Sequence, residues 1–170
     1  TTLLMDRAAS ASLVNKELFD KLHIPGKPHK LELTWLEPET ERLESNAFLH
    51  DLNIAPIGDP DKRISLNGMI ALQKLSLPKQ EQDPEAIKAE YPYLTNALIP
   101  KFTEQRPQIL LGLPHAKWMI SLETIVDFTQ ESAPIAERTP LGWTICGGSV
   151  PSKSIFYCCE SESQCIHKLE

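Results

Sequence analysis

The sequence predicts a mainly β domain, a meander of brief strands with one or two short helices, and three observations carry that expectation. Fourteen prolines against seven glycines are scattered through the 170 residues, interrupting the chain too often for long helices. The apolar stretches between them are short. The clearest, Lys30 to Leu36, sets Leu31, Leu33 and Trp35 against Glu32 and Thr34 with the period of a strand that buries one face.

Along the chain, Thr1 to Met5 reads as a strand that opens in mid-run, as expected of a piece cut from something longer and missing a preceding strand. Ser12 to Leu22 places Leu13, Val14, Leu18, Phe19 and Leu22 at helical spacing, and Pro25-Gly26 ends it. The strand from Lys30 turns at Glu37-Pro38-Glu39-Thr40 and returns from Arg42 to Ile54. Gly58-Asp59-Pro60-Asp61 makes the next turn, before a strand from Ile64 to Leu77. Pro84 to Glu90 fits either a short helix with proline in its first turn or a solvated connector. Ile109-Leu110-Leu111-Gly112 forms an apolar core segment, and Leu141 to Gly147 a last strand ending in a glycine turn. A linker or disordered tail is expected from Gly148 onward, which divides the chain into a domain over 1–147 and a tail over 148–170.

Composition narrows the function. The net charge of −6 and the scatter of the basic residues argue against a nucleic-acid surface. No stretch approaches the roughly 18 apolar residues of a membrane span. Cys146, Cys158, Cys159 and Cys165 all lie near the C-terminal end, so no disulfide framework staples the body, and an intracellular, cytoplasmic setting is expected. The tail from Cys158 to His167 matches neither a paired-CxxC site nor a zinc knuckle, so no metal is expected, nor any cofactor. His23, His29, His50 and His115 lack metal spacing and read as structural or exposed. Trp35, Trp118 and Trp143 read as packing anchors.

The chemically informative stretch is Leu3-Leu4-Met5-Asp6-Arg7-Ala8-Ala9-Ser10-Ala11-Ser12-Leu13-Val14, in which an apolar strand delivers one carboxylate into a run of small residues. One reading is a strand end whose aspartate caps the following helix. The other is the catalytic loop of an aspartic protease, which needs two facing carboxylates sharing one proton, so that one activates water while the other protonates the carbonyl oxygen. Small neighbours would let two such loops approach.

Further segments follow in order: Leu31-Glu32-Leu33-Thr34-Trp35, Leu75-Ser76-Leu77-Pro78-Lys79-Gln80, Tyr91-Pro92-Tyr93-Leu94, Ile109 to His115, and Arg138 to Gly147. With the aspartate loop they resemble, from about Leu3 to Gly147, the aspartic-protease segment of Pao/BEL-type retrotransposon polyproteins. The resemblance implies a retropepsin-like closed β-barrel. It also implies a catalytic Asp6, an active-site loop of Arg7, Ala8, Ala9 and Ser10, and a segment beneath it formed by Ile109, Leu110, Leu111 and Gly112. No second Asp-x-Gly string occurs, so the active site would require a homodimer acting on a polypeptide substrate. The flap over the substrate would be the hairpin turn Glu37, Pro38, Glu39 and Thr40.

Two positions depart from the family's Asp-Ser/Thr-Gly pattern. A guanidinium only donates hydrogen bonds, so Arg7 cannot accept the cross-dimer bond that a hydroxyl accepts there, and a cation beside the carboxylates favours their ionised form. Arg7 turned to solvent would be harmless. Ala8 brings a β-carbon that costs about 1 kcal/mol or more if its φ is positive. A catalytically silent dimerisation or peptide-binding domain is therefore the alternative expectation.

Overall fold

A computed structural model describes residues 1–34, 41–56 and 58–148. The chain is mainly β. Its strands are β1 (Leu3–Met5), β2 (Leu13–Asn15), β3 (Lys27–Thr34), β4 (Glu41–Ile54), β5 (Ile64–Leu72), β6 (Gln80–Gln82), β7 (Phe102–Gln105), β8 (Ile109–Leu111), β9 (Glu123–Ile125), β10 (Ile135–Thr139) and β11 (Gly142–Cys146). Two short α-helices, α1 (Lys16–Leu22) and α2 (Pro84–Glu90), and two 3₁₀ segments, Pro92–Leu94 and Leu113–Trp118, complete it.

The helical reading of Ser12 to Leu22 divides at Asn15. Leu13 and Val14 are in β2, and the helix begins at Lys16 because the Asn15 side chain accepts from the Glu17 amide at its N-terminus. The helix stops at His23, whose left-handed backbone (φ 52°) lets its amide reach the Phe19 and Asp20 carbonyls. The strand expected to run to Leu77 ends at Leu72. Pro84 to Glu90 is a helix and not a connector: Asp83 caps it, Pro84 opens it, and Ile87 is fully buried.

The main sheet has the order β1-β8-β2-β5-β4-β3. Next to its β1 edge the chain crosses on itself. β8 runs parallel to β1 on one side (Leu3 opposite Ile109, Met5 opposite Leu111) and antiparallel to β2 on the other (Leu13 opposite Leu110). Flanked by β1 and β2, β8 is buried on both faces. Ile109 and Leu111 join Val14, Phe19, Leu52, Ile64, Leu66, Met69 and Met119, while Leu110 faces Leu13, Ala47, Leu72 and Leu75 on the other side. That double burial explains an apolar run without polar alternation.

Among the described residues, the expected closed barrel does not form. Among the described residues, β1 and β3 remain the two edges of an open six-stranded sheet, and the other strands pair separately, as β11-β10-β9 and β6-β7. Closure would need the two edges to meet with a matching stagger; here β1, of three residues, pairs only with β8. A second core gathers Ile87, Tyr91, Leu94, Ala97, Ile99, Ala136 and Ile145 beneath the three-stranded sheet. Trp118 packs against the first core and Trp143 against the second, as anchors. Trp35, the flap candidate Glu37 to Thr40 and Cys158, Cys159 and Cys165 lie outside the described residues.

Candidate active site

The loop between β1 and β2 carries Asp6 at its first position. The Asp6 amide donates to the Leu111 carbonyl at 2.9 Å, so the loop leaves the sheet directly from its pairing with β8. Asp6 Oδ1 accepts from the Ala8 amide at 2.8 Å, and the Ala9 amide approaches the Asp6 carbonyl at 3.4 Å, closing a tight turn over Asp6 to Ala9. The carboxylate thus stabilises its own turn, and the cap of α1 is Asn15 rather than Asp6. Asp6 is half-buried, whereas Arg7, Ala8 and Ser10 are exposed and Ala9 is half-buried.

Gly112 is wedged against the other limb of the loop. A β-carbon there would lie 2.2 Å from the Ala11 carbonyl oxygen and 2.6 Å from that of Ala9, which only the absence of a side chain permits. The Leu113 amide donates to the Ala9 carbonyl at 2.8 Å, and the Gly112 amide to Ser12 Oγ at 2.9 Å. Ser12 Oγ in turn lies 2.8 Å from Nδ1 of His115, and both side chains are buried. Asp6 to Ser10 and Ile109 to Gly112, far apart in sequence, are therefore held as one unit.

The two departures in the loop differ in what they do. Ala8 is not among the described residues with positive φ, which are His23 and Glu104 apart from glycines, so its β-carbon strains no backbone. Arg7 does not simply point to solvent. Its guanidinium donates to the Met119 carbonyl at 2.8 Å and to Glu137 of β10 at 3.2 Å, while its side chain keeps 59% of its surface exposed. Arg7 thereby ties the loop to the three-stranded sheet within the same chain.

Beside Arg7 lies an open hollow of about 320 Å³ lined by Leu113, Ala116, Met119, Ile120 and Ser121. Leu113 and Ile120 are more than half exposed there, which leaves apolar surface next to the aspartate turn. Of the histidines expected to be structural or exposed, His115 and His50 are buried. His50 stacks on Phe19 with ring centroids 3.9 Å apart, and its Nδ1 meets the Pro25 carbonyl at 3.0 Å. Burial pushes both imidazoles below their ordinary pKa, and at His115 the hydrogen bond to the Asn67 carbonyl opposes that shift.

Ser12, His115 and Glu137 are the participants that sequence reasoning missed. Ser12 and His115 are 103 residues apart and Arg7 and Glu137 are 130 apart, distances over which no local pattern carries a signal. Among the described residues, no three His, Cys, Asp or Glu side chains gather as metal ligands, and no helix is long and apolar enough to cross a membrane. Searches against family models, curated proteins and solved structures return no match to this chain.

Proposed function

We propose that the chain is one half of an aspartic endopeptidase of retroelement type, in which the Asp6 side chains of two copies activate a water molecule and hydrolyse a peptide bond of a polyprotein. The observation that carries this reading is the crossing at the β1 side of the sheet, where β8 threads between β1 and β2 beneath the turn that bears Asp6. A loop anchored on both limbs is what a paired-carboxylate site needs, because the two acids must be held close enough to share a proton. One Asp6 oxygen is engaged by the Ala8 amide, which fixes the carboxylate plane. The exposed apolar flank of Leu113 and Ile120 offers surface to a second copy or to substrate.

The second reading is a catalytically silent dimerisation or peptide-binding domain, and Arg7 favours it. The middle residue of the loop is committed to contacts within its own chain, to Met119 and Glu137. Pepstatin-sensitive cleavage of a peptide library at mildly acidic pH, compared between the native chain and Asp6→Asn, separates the two. Catalysis predicts cleavage abolished by the substitution. Equal activity in both, or none in either, leaves the silent domain. Cleavage gained only in the Arg7→Ser, Ala8→Gly variant would identify those two residues as the cause of silence.

A further inference from the structure

We propose that His115 is a positioning residue whose protonation state governs how firmly the Asp6 loop is clamped to β8. The clamp itself stands on geometry, and its consequence for Asp6 rests on the protease reading above.

Ser12 Oγ accepts the Gly112 amide, so its own proton is free to be donated to Nδ1 of His115. With Nδ1 accepting from Ser12, the neutral ring carries its hydrogen on Nε2, and the Asn67 backbone, from β5, is a further hydrogen-bond partner of the ring. The arrangement therefore specifies one tautomer, neutral with hydrogen on Nε2, and in that state every polar atom of the Gly112, Ser12 and His115 relay is satisfied. The remaining groups around the ring do not invite a second proton. Lys117, on the same 3₁₀ segment, opposes it by its charge. Ser12 from the β1–β2 loop and Gly112 after β8 contribute neutral dipoles.

Protonation places a second donor, Nδ1–H, opposite a hydroxyl that already accepts from Gly112. The Ser12 hydroxyl then loses Nδ1 as the acceptor of its own proton, and a cation is left in a site only 5% exposed. Opening the Ser12–His115 contact relieves this, and Ser12 is then held less firmly against the Gly112 amide, beside the Leu113 to Ala9 bond. The loop that carries Asp6 is tied down by these bonds and loosens with them.

The test is nitrogen-15 NMR of the full chain from about pH 7.5 down to the acid limit of folding, because the buried ring titrates below the ordinary histidine pKa of about 6.5. It follows the His115 ring and amide exchange at Gly112 and Leu113 after correction for intrinsic rates. The expected result is the Nε2–H tautomer at the upper end of that window. On acidification, amide protection should fall with the same midpoint as the ring. His115→Asn offers an acceptor near the place of Nδ1 and cannot titrate, so protection at Gly112 should stay flat. His50→Gln removes the other buried imidazole and should leave the transition in place. Ring and amide midpoints that differ, an equal fall in His115→Asn, or a transition abolished by His50→Gln would each overturn the clamp. If His115→Asn does not fold, the comparison of midpoints in the native chain decides. None of these readouts involves cleavage, so the clamp stands or falls even in a chain that never cuts peptide.

Discussion

Gly112 shows how one residue can be fixed by contacts that its own neighbourhood does not reveal. The Ala9 and Ala11 carbonyls close over its α-carbon, and Gly112→Ala must push backbone rather than a flexible side chain. A loss of about 3 kcal/mol is expected, at the upper end of overpacking costs, measurable by urea unfolding. Ser12→Ala acts differently, since it removes no volume of consequence but orphans the Gly112 amide and the His115 ring nitrogen. It should cost about 1–3 kcal/mol by the same measurement. Arg7→Ala should cost less, about 1 kcal/mol or under from the ion pair, because water screens a guanidinium that is mostly exposed. Arg7 thus matters more for where the loop is tied than for how stable the chain is.

The elements around the site differ in what terminates them. Leu13 and Val14 satisfy the period of a helix as well as that of a strand, and the residue that separates the two is Asn15, by capping α1. Asn15→Ala is expected to lower stability by about 1 kcal/mol and to reduce helical signal in circular dichroism only slightly, since α1 has seven residues. β8 is short but enclosed on both faces, with Leu111 fully buried. Leu111→Ala leaves a cavity beneath the aspartate turn and should cost about 3 kcal/mol, with the loss of Gly112 amide protection exceeding that at α2, which belongs to the other core.

For the whole molecule, two buried imidazoles set the acid side of the stability curve. His50 and His115 both have folded pKa values below the ordinary one. The unfolded chain therefore binds protons first as the pH drops, and the folded state loses stability from about pH 6.5 downward, levelling off once the folded-state pKa values are passed. Tyr91 and Tyr93 are shifted upward by burial, so the folded state keeps them neutral and loses stability above about pH 10. The Cys146 thiol is likewise pushed up by burial, so its loss begins lower, above about pH 9, and urea midpoints should hold steady from about pH 6.5 to 9 and fall on either side. Under the proposed function, the activity of a half-site scales with dimer, so specific activity should rise with concentration until dimerisation saturates. A constant specific activity across the dilution series would rule out a shared site.

The sequence by itself determined the strand-rich character, most of the strand positions and the loop that presents Asp6, because alternation, proline spacing and small-residue runs are local properties. It also marked Ile109 to Gly112 as core, since an apolar run ending in glycine has few other uses. Only the tertiary structure decided that β8 lies between β1 and β2, that the sheets stay open, and that Arg7 reaches Glu137 while Ser12 meets His115. Those choices depend on pairing across about a hundred residues, where burial of both faces of β8 and satisfaction of the Gly112 amide select one crossing of the chain.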